Sequence, residues 1–177
     1  RIISEYSDVR TTVLTNGVDT SKLDGHEQLR ENTLEKYDLS PPVVFMVGHV
    51  IRRKGLDTFV ETAEEMPELD FVWFGPLDRH LKGRPTKQLI DSAPDNCTFP
   101  GFVDDIREAY AAGDIFFFPT HEENEGIALL EAMAASLPVV VRDIETFSCV
   151  EIGTHGLKIA AVAFQSALDR LAVPGRR

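Results

Sequence analysis

Two glutamates stand eight positions apart in the segment HEENEGIALLEAMAAS, residues 121–136: Glu123 within an acidic run, Glu131 beyond a glycine and an apolar stretch. A β-branched and aromatic run ends at Pro119, and the pattern after Gly126 predicts a helix over residues 126–136. Glu131 would then lie about 7 Å further along the helix axis than Gly126, at roughly 1.5 Å per residue. Glu123 stays in the preceding loop. The unpaired N–H groups of a helix start, with the positive end of its dipole, suit a diphosphate held between these two carboxylates. One carboxylate can accept hydrogen bonds from sugar hydroxyls and the other from ribose hydroxyls. Equally, Glu122, Glu123 and Glu125 can serve only to complement the dipole, with Glu131 solvated; spacing alone does not separate the two readings.

A second cluster lies in VGHVIRRKGLDTF, residues 47–59, where an apolar run ends at Gly48 and Arg52, Arg53 and Lys54 precede Gly55. Three adjacent cations there can neutralise a leaving diphosphate without a metal ion, or form a solvated basic turn. A third segment, CTFPGFVDD at residues 97–105, carries Gly101 and Phe102 after a strand pattern. Its edge can hold a nucleotide base through backbone hydrogen bonds, or Phe102 can be core. The five histidines show no metal-ligand spacing, Asp104 and Asp105 read as a helix N-cap, and Ser4, Ser7 and Ser136 lack a nucleophile-elbow context. Metal and acyl-transfer chemistry are disfavoured.

Composition narrows the setting. In 177 residues, 29 acidic against 18 basic side chains give a formal charge of −11, which repels nucleic acid and anionic membrane rather than attracting them. A phosphate-bearing ligand therefore needs a local basic site. The sequence holds neither a run of about 18 apolar residues nor a signal-peptide pattern. Cys97 and Cys149 match no metal or redox spacing and read as buried thiols of a reducing compartment, so a cytoplasmic location is expected.

Strand-like runs at residues 43–48, 71–75, 97–100, 115–119 and 138–141 alternate with helix-like segments at 55–66, 104–112, 126–136 and 163–171. This is the βαβα signature of an α/β fold with a doubly wound, mostly parallel sheet. Ligands of such sheets bind at the C-terminal ends of the strands, so functional residues are expected after Val47, Phe74, Phe99, Phe118 and Val141. Residues 12–23 read as a strand and an Asn-Gly turn at Asn16-Gly17, leading into a polar connector.

Taken in order, TNGVDTSKL, VGHVIRRKGLDTF, FVWFG, CTFPGFVDDIREAYAAGDIFFFPT and the E-x7-E motif at Glu123 and Glu131 resemble the C-terminal domain of family-4 retaining glycosyltransferases. The resemblance runs from about residue 13 to residue 142. It implies a Rossmann-like domain forming one half of a GT-B fold. Residues 1–24 would be the interdomain linker and first strand, and 25–177 the nucleotide-sugar-binding domain, without the N-terminal acceptor domain.

The resemblance also implies roles. Lys54 matches the lysine on the donor diphosphate, Glu123 the glutamate near the transferred sugar, and Glu131 the ribose ligand. Gly126 and Ile127 match the helix-start amides facing the phosphates, with Asn124 and Glu125 in the same motif, and Phe102 and Val103 match the strand end beside the base. His49 follows the strand-ending Gly48 where the family commonly has arginine, and Arg53 is expected to supply that cation beside Lys54. Where many members read E-G-F-G, this chain reads Glu123-Asn124-Glu125-Gly126. The combination looks most like the branch of bacterial diacylglycerol glucosyltransferases, implying a UDP-hexose donor, a membrane lipid acceptor and no cofactor.

By the same resemblance, transfer retains anomeric configuration and the N-terminal acceptor domain is the intramolecular partner. That half would also provide any peripheral membrane contact of the full-length protein, and the isolated domain is expected to be inactive. Two other readings are a non-catalytic nucleotide sensor or scaffold of the same fold and a flavodoxin-like regulatory domain. The joint presence of Lys54, Glu123 and Glu131 favours the enzyme half over both.

Overall fold

The structure, a computed structural model, describes residues 16–77, 85–151, 154, 156–159 and 168. Six strands, β1 (Val43–Val47), β2 (Asp70–Phe74), β3 (Cys97–Gly101), β4 (Ile115–Phe118), β5 (Val139–Arg142) and β6 (Gly156–Ile159), form one all-parallel sheet in the order β3-β2-β1-β4-β5-β6. This is the doubly wound Rossmann order, whose direction of winding reverses between β1 and β4. Five of the six strands were anticipated. The sixth, GLKI, is too short for alternation to distinguish it from a loop.

The described helices are α1 (Arg30–Tyr37), α2 (Leu56–Glu65), α3 (Pro85–Asp91), α4 (Ile106–Ala112) and α5 (Ile127–Ala134). Helix α2 buries Leu56, Phe59, Val60 and Ala63 on one face, each large side chain contributing about 1.5–3 kcal/mol. It ends one residue before Met66, with Pro67 beyond. Asp105 caps α4, its carboxylate accepting the Arg107 amide at 3.0 Å. The helix expected over 163–171 lies outside the described residues apart from Leu168, which is helical and buried.

An aromatic core holds the sheet. Phe59 of α2 meets Phe71 and Trp73 edge-on, with ring centroids 5.5 and 5.0 Å away, and stacks on Phe117 at 5.8 Å. Strands β1 and β4 are aligned as neighbours, Val44 opposite Ile115 and Phe45 opposite Phe116. Their N-terminal ends are tied by Asp114, which accepts the Val43 amide at 2.9 Å and a two-pronged Arg30 guanidinium at 2.8 and 2.9 Å.

Two expectations and one alternative reading are corrected. Asn16-Gly17 forms no hairpin turn: residues 16–19 run without regular structure into a short 3-10 turn at Thr20–Leu23, and Gly17 does not take the positive φ that such turns need. The strand expected just before it lies outside the described residues. Cys149 is exposed rather than buried, because it follows the surface turn Glu145–Phe147. Cys97 is partly buried in β3, and burial pushes its thiol up to about 12, which makes it unreactive. Phe102 is not core: its side chain is 71% exposed, since it stands beyond the end of β3.

Helix α1 went unanticipated because only Thr33 is fully buried along it, and tertiary ion pairs hold it instead. Lys36 Nζ lies 2.7 Å from Glu108 Oε2 on α4, and the Tyr37 hydroxyl donates to the same oxygen at 2.9 Å. The Lys36 ammonium, with help from Tyr37, holds the Glu108 carboxyl below its ordinary range despite some opposition from burial. A depressed carboxylate contributes stability that is present above its unfolded pKa, about 4.3, and is lost as pH falls through the folded value. Glu108→Gln is therefore expected to make the loss of stability between about pH 5 and pH 3 shallower than in the parent. Urea titrations at stepped pH measure it, and an identical slope would exclude this linkage.

Candidate functional site

The reversal point places the loops after β1 and β4 side by side, and local chemistry shapes each. After Val47 the chain turns at Gly48, whose amide donates to the Phe74 carbonyl at 2.9 Å and whose carbonyl accepts the Trp73 indole N–H at 2.9 Å. Gly75 passes so close that a Cβ there would fall 1.9 Å from the Gly48 oxygen. The cations Arg52–Lys54 form a 3-10 turn ended by Gly55 at φ +86°, where a Cβ would lie 2.4 Å from the Pro119 oxygen. The basic turn is thus pressed against the end of β4.

Four side-chain hydrogen bonds fix the acidic loop by three of its carbonyls. Pro119 O accepts Nε of the buried Arg142 at 3.0 Å. Glu122 O accepts Arg53 Nη1 and the Thr120 hydroxyl, both at 2.9 Å. Glu123 O accepts the Thr146 hydroxyl at 2.8 Å. The His121 amide also donates to the Arg53 carbonyl at 3.0 Å, stitching the two loops together. Gly126 at φ +72° is the N-cap of α5.

These loops bring Lys54 and Glu123 into an ion pair, their side chains only 16% and 11% exposed. The ammonium also stands 5.3 Å from the Phe118 ring centroid, a cation–π contact. The Asn124 amide donates to Glu123 Oε1 at 3.0 Å. Beside the pair opens a cleft of about 360 Å³, lined by Gly48, His49, Lys54, Glu123, Asn124, Glu125, Gly126 and Ile127, with Asn16, Val47, Phe118 and Ala128. Asn16 donates to the Glu125 carboxylate from both its amide nitrogens. Since the first N–H groups of a helix have no partner within it, the start of α5 gives this cleft amide donors next to a cation.

The remaining sequence-derived candidates lie outside the cleft wall. Arg53 donates from Nη1 to the Glu122 carbonyl. Glu131 sits half-buried on α5, its carboxylate accepting the Tyr110 hydroxyl at 2.7 Å, so it is not simply solvated. Phe102 and Val103 follow β3 at the same C-terminal edge of the sheet. Sequence reasoning missed Tyr110, Arg142, Thr146 and Asn16. Each acts on a partner 18 or more positions away, a separation at which spacing carries no signal.

The family model for glycosyl transferases group 1 matches residues 41–172, which takes in the basic turn, the acidic loop and α5 but not Asn16. The chain belongs to that family. It is 40% identical over 141 residues to a processive diacylglycerol alpha-glucosyltransferase of Acholeplasma laidlawii, covering 76% of this chain and 42% of that protein. It is 32% identical over 120 residues to an alpha-galactosylglucosyldiacylglycerol synthase of Streptococcus pneumoniae, covering 64% of this chain and 32% of that protein. The chain thus spans less than half the length of these relatives. Its fold matches Anabaena HepE, solved in complex with UDP and glucose, with a TM-score of 0.75 and 19% identity over 90% of this chain and 46% of that one. Such neighbours are GT-B glycosyltransferases, and this glycosyl transferase domain shares their Rossmann-like sheet.

Gly55 is the joint between the two loops of this glycosyl transferase domain. Gly55→Ala forces a side chain into left-handed backbone and against the Pro119 carbonyl, and is expected to cost about 1–3 kcal/mol. Urea denaturation measures this, and an unchanged midpoint would mean that the close approach is not a constraint.

Proposed function

We propose that this chain is the donor-binding domain of a retaining hexosyltransferase that moves a hexose from a UDP-sugar to a lipid acceptor of the diacylglycerol class. The carrying observation is the Lys54–Glu123 pair beside the start of α5, in a cleft at the reversal point of the sheet. An ammonium has three N–H donors, so one can stay on Glu123 while others reach phosphate oxygens. Gly126 and Ile127 line the same cleft at the start of α5, where the unpaired amides of a helix start would stabilise the charge that develops on the leaving diphosphate. The lipid acceptor is supported by the named activities of the two relatives, and the UDP-hexose donor by the ligands of HepE.

The other roles follow within this reading. Glu123 lies next to the transferred sugar, with Asn124, Glu125, Gly48 and His49 around it. Glu131 takes the ribose hydroxyls, and Phe102 and Val103 the base. Arg53 acts chiefly by holding the loop that carries Glu123. As the bond from the anomeric carbon to the phosphate oxygen breaks and that from the acceptor oxygen forms on the same face, the acceptor proton passes to the departing phosphate oxygen. The acceptor would be bound by an N-terminal domain of the full-length protein, working at the cytoplasmic face of a membrane. Among the described residues no helix is long and apolar enough to cross one.

Two measurements test the proposal. Calorimetry is expected to show binding of UDP over GDP and ADP, and Lys54→Ala should weaken UDP binding by about 1.5–3 kcal/mol while sparing uridine. Equal losses for both ligands would remove Lys54 from the diphosphate site. Transfer also needs an acceptor held about 3–3.5 Å from the anomeric carbon, and the groups placed here lie along one edge of one sheet. These 177 residues alone are therefore expected to bind UDP yet transfer no hexose to a panel of lipid and sugar acceptors. Robust transfer would show that the acceptor site lies within them.

A further inference from the structure

Tyr110 is almost completely buried on α4, and its ring meets Phe45 of the central strand edge-on at 5.7 Å and 88°. Its hydroxyl carries one proton and has two acceptors in reach, Glu131 Oε2 at 2.7 Å and the Ala128 carbonyl at 3.2 Å. The carboxylate is the nearer, and charge-assisted hydrogen bonds are the stronger kind. Burial, with Glu131 beside it, pushes the phenol well above its ordinary pKa, so it remains a neutral donor.

We infer that Tyr110 is a positioning residue: its hydroxyl holds one oxygen of Glu131 and thereby aims the other at the ribose hydroxyls of the nucleotide. The inference rests on the reading that Glu131 is the ribose ligand. An ionised carboxylate offers about four lone-pair sites, so one bond from Tyr110 leaves Oε1 to receive a pair of neighbouring hydroxyls. A glutamate side chain without a tether spreads over several rotamers, and ordering it on binding opposes affinity. Tyr110 does that ordering beforehand. Its ring is anchored on Phe45 of β1, the strand that ends in the cleft, so the ribose carboxylate is registered to the sheet and not only to its own helix.

The experiment compares the full chain with Tyr110→Phe, Glu131→Gln and the double variant, each titrated with UDP and with 2′,3′-dideoxy-UDP. The parent is expected to bind UDP roughly tenfold or more tighter than the dideoxy analogue, the scale of charge-assisted hydrogen bonds. In Tyr110→Phe that preference should shrink to about threefold or less while dideoxy-UDP affinity stays unchanged, which also certifies that the site is folded. The double variant should lose no more than Glu131→Gln alone, because both act through one carboxylate. If the parent binds both nucleotides alike, the ribose role of Glu131 falls, and this inference with it. If the parent discriminates and Tyr110→Phe discriminates equally, or if that variant loses both nucleotides in the same proportion, Tyr110 is structural and the inference alone is overturned.

Discussion

The adjacency of β1 and β4 is the constraint from which the rest of the site follows. The two strands are hydrogen-bonded neighbours although about seventy residues separate them in sequence, and both run in the same direction. Their C-terminal loops must therefore emerge together at one edge. One loop carries Arg52, Arg53 and Lys54, the other Glu122, Glu123 and Glu125. Opposite charges 69 positions apart become an ion pair because strand order leaves them nowhere else to go. Glycines make the approach close enough: Gly55 against Pro119 and Gly75 against Gly48 are backbone contacts that a Cβ would block.

Electrostatics then explain how the proposed diphosphate site is compatible with a protein of charge −11. A lone buried lysine would be strongly disfavoured by desolvation, and a lone Glu123 likewise. Paired, with Phe118 beneath the ammonium, each lowers the cost of burying the other. The pair is nearly neutral at a distance, so the helix-start amides are needed as well. Their partial positive charge is fixed in the backbone and needs no counterion. Nucleic acid meets the acidic surface, whereas in the proposed reading a single diphosphate reaches the local donors.

Much of this was legible in the residues themselves. Strands β1, β2, β4 and β5 are nearly continuous apolar runs because parallel strands covered on both faces expose neither side, and α2 shows a one-sided apolar stripe that packs back over them. The E-x7-E spacing placed Glu123 in a loop and Glu131 in a helix, as found. What spacing could not convey is where a side chain turns once it is there. Helix α1 escaped notice because Arg30, Lys36 and Tyr37 find their partners on Asp114 and Glu108, more than seventy positions away. Asn16-Gly17 looked like a turn by composition, yet Asn16 is drawn to Glu125 instead. Such pairings are products of the fold, so no local pattern records them.

The division of labour in the acidic loop follows from the same logic. Its backbone carbonyls do the structural work: Pro119, Glu122 and Glu123 each accept a side-chain donor, from β5, from the basic turn and Thr120, and from the turn after β5. The carbonyls cannot titrate and cannot be displaced by a nucleotide, so binding need not dismantle the scaffold. In the proposed reading recognition falls to side chains, with the Glu123 carboxylate held ready by Lys54 and the Asn124 amide. Preorganised donors and acceptors lose little on binding because their ordering was completed during folding. In this domain that ordering is supplied by Arg142, Thr146 and Arg53, which reach the loop from three different segments, so the geometry around Glu123 depends on the integrity of the whole C-terminal edge.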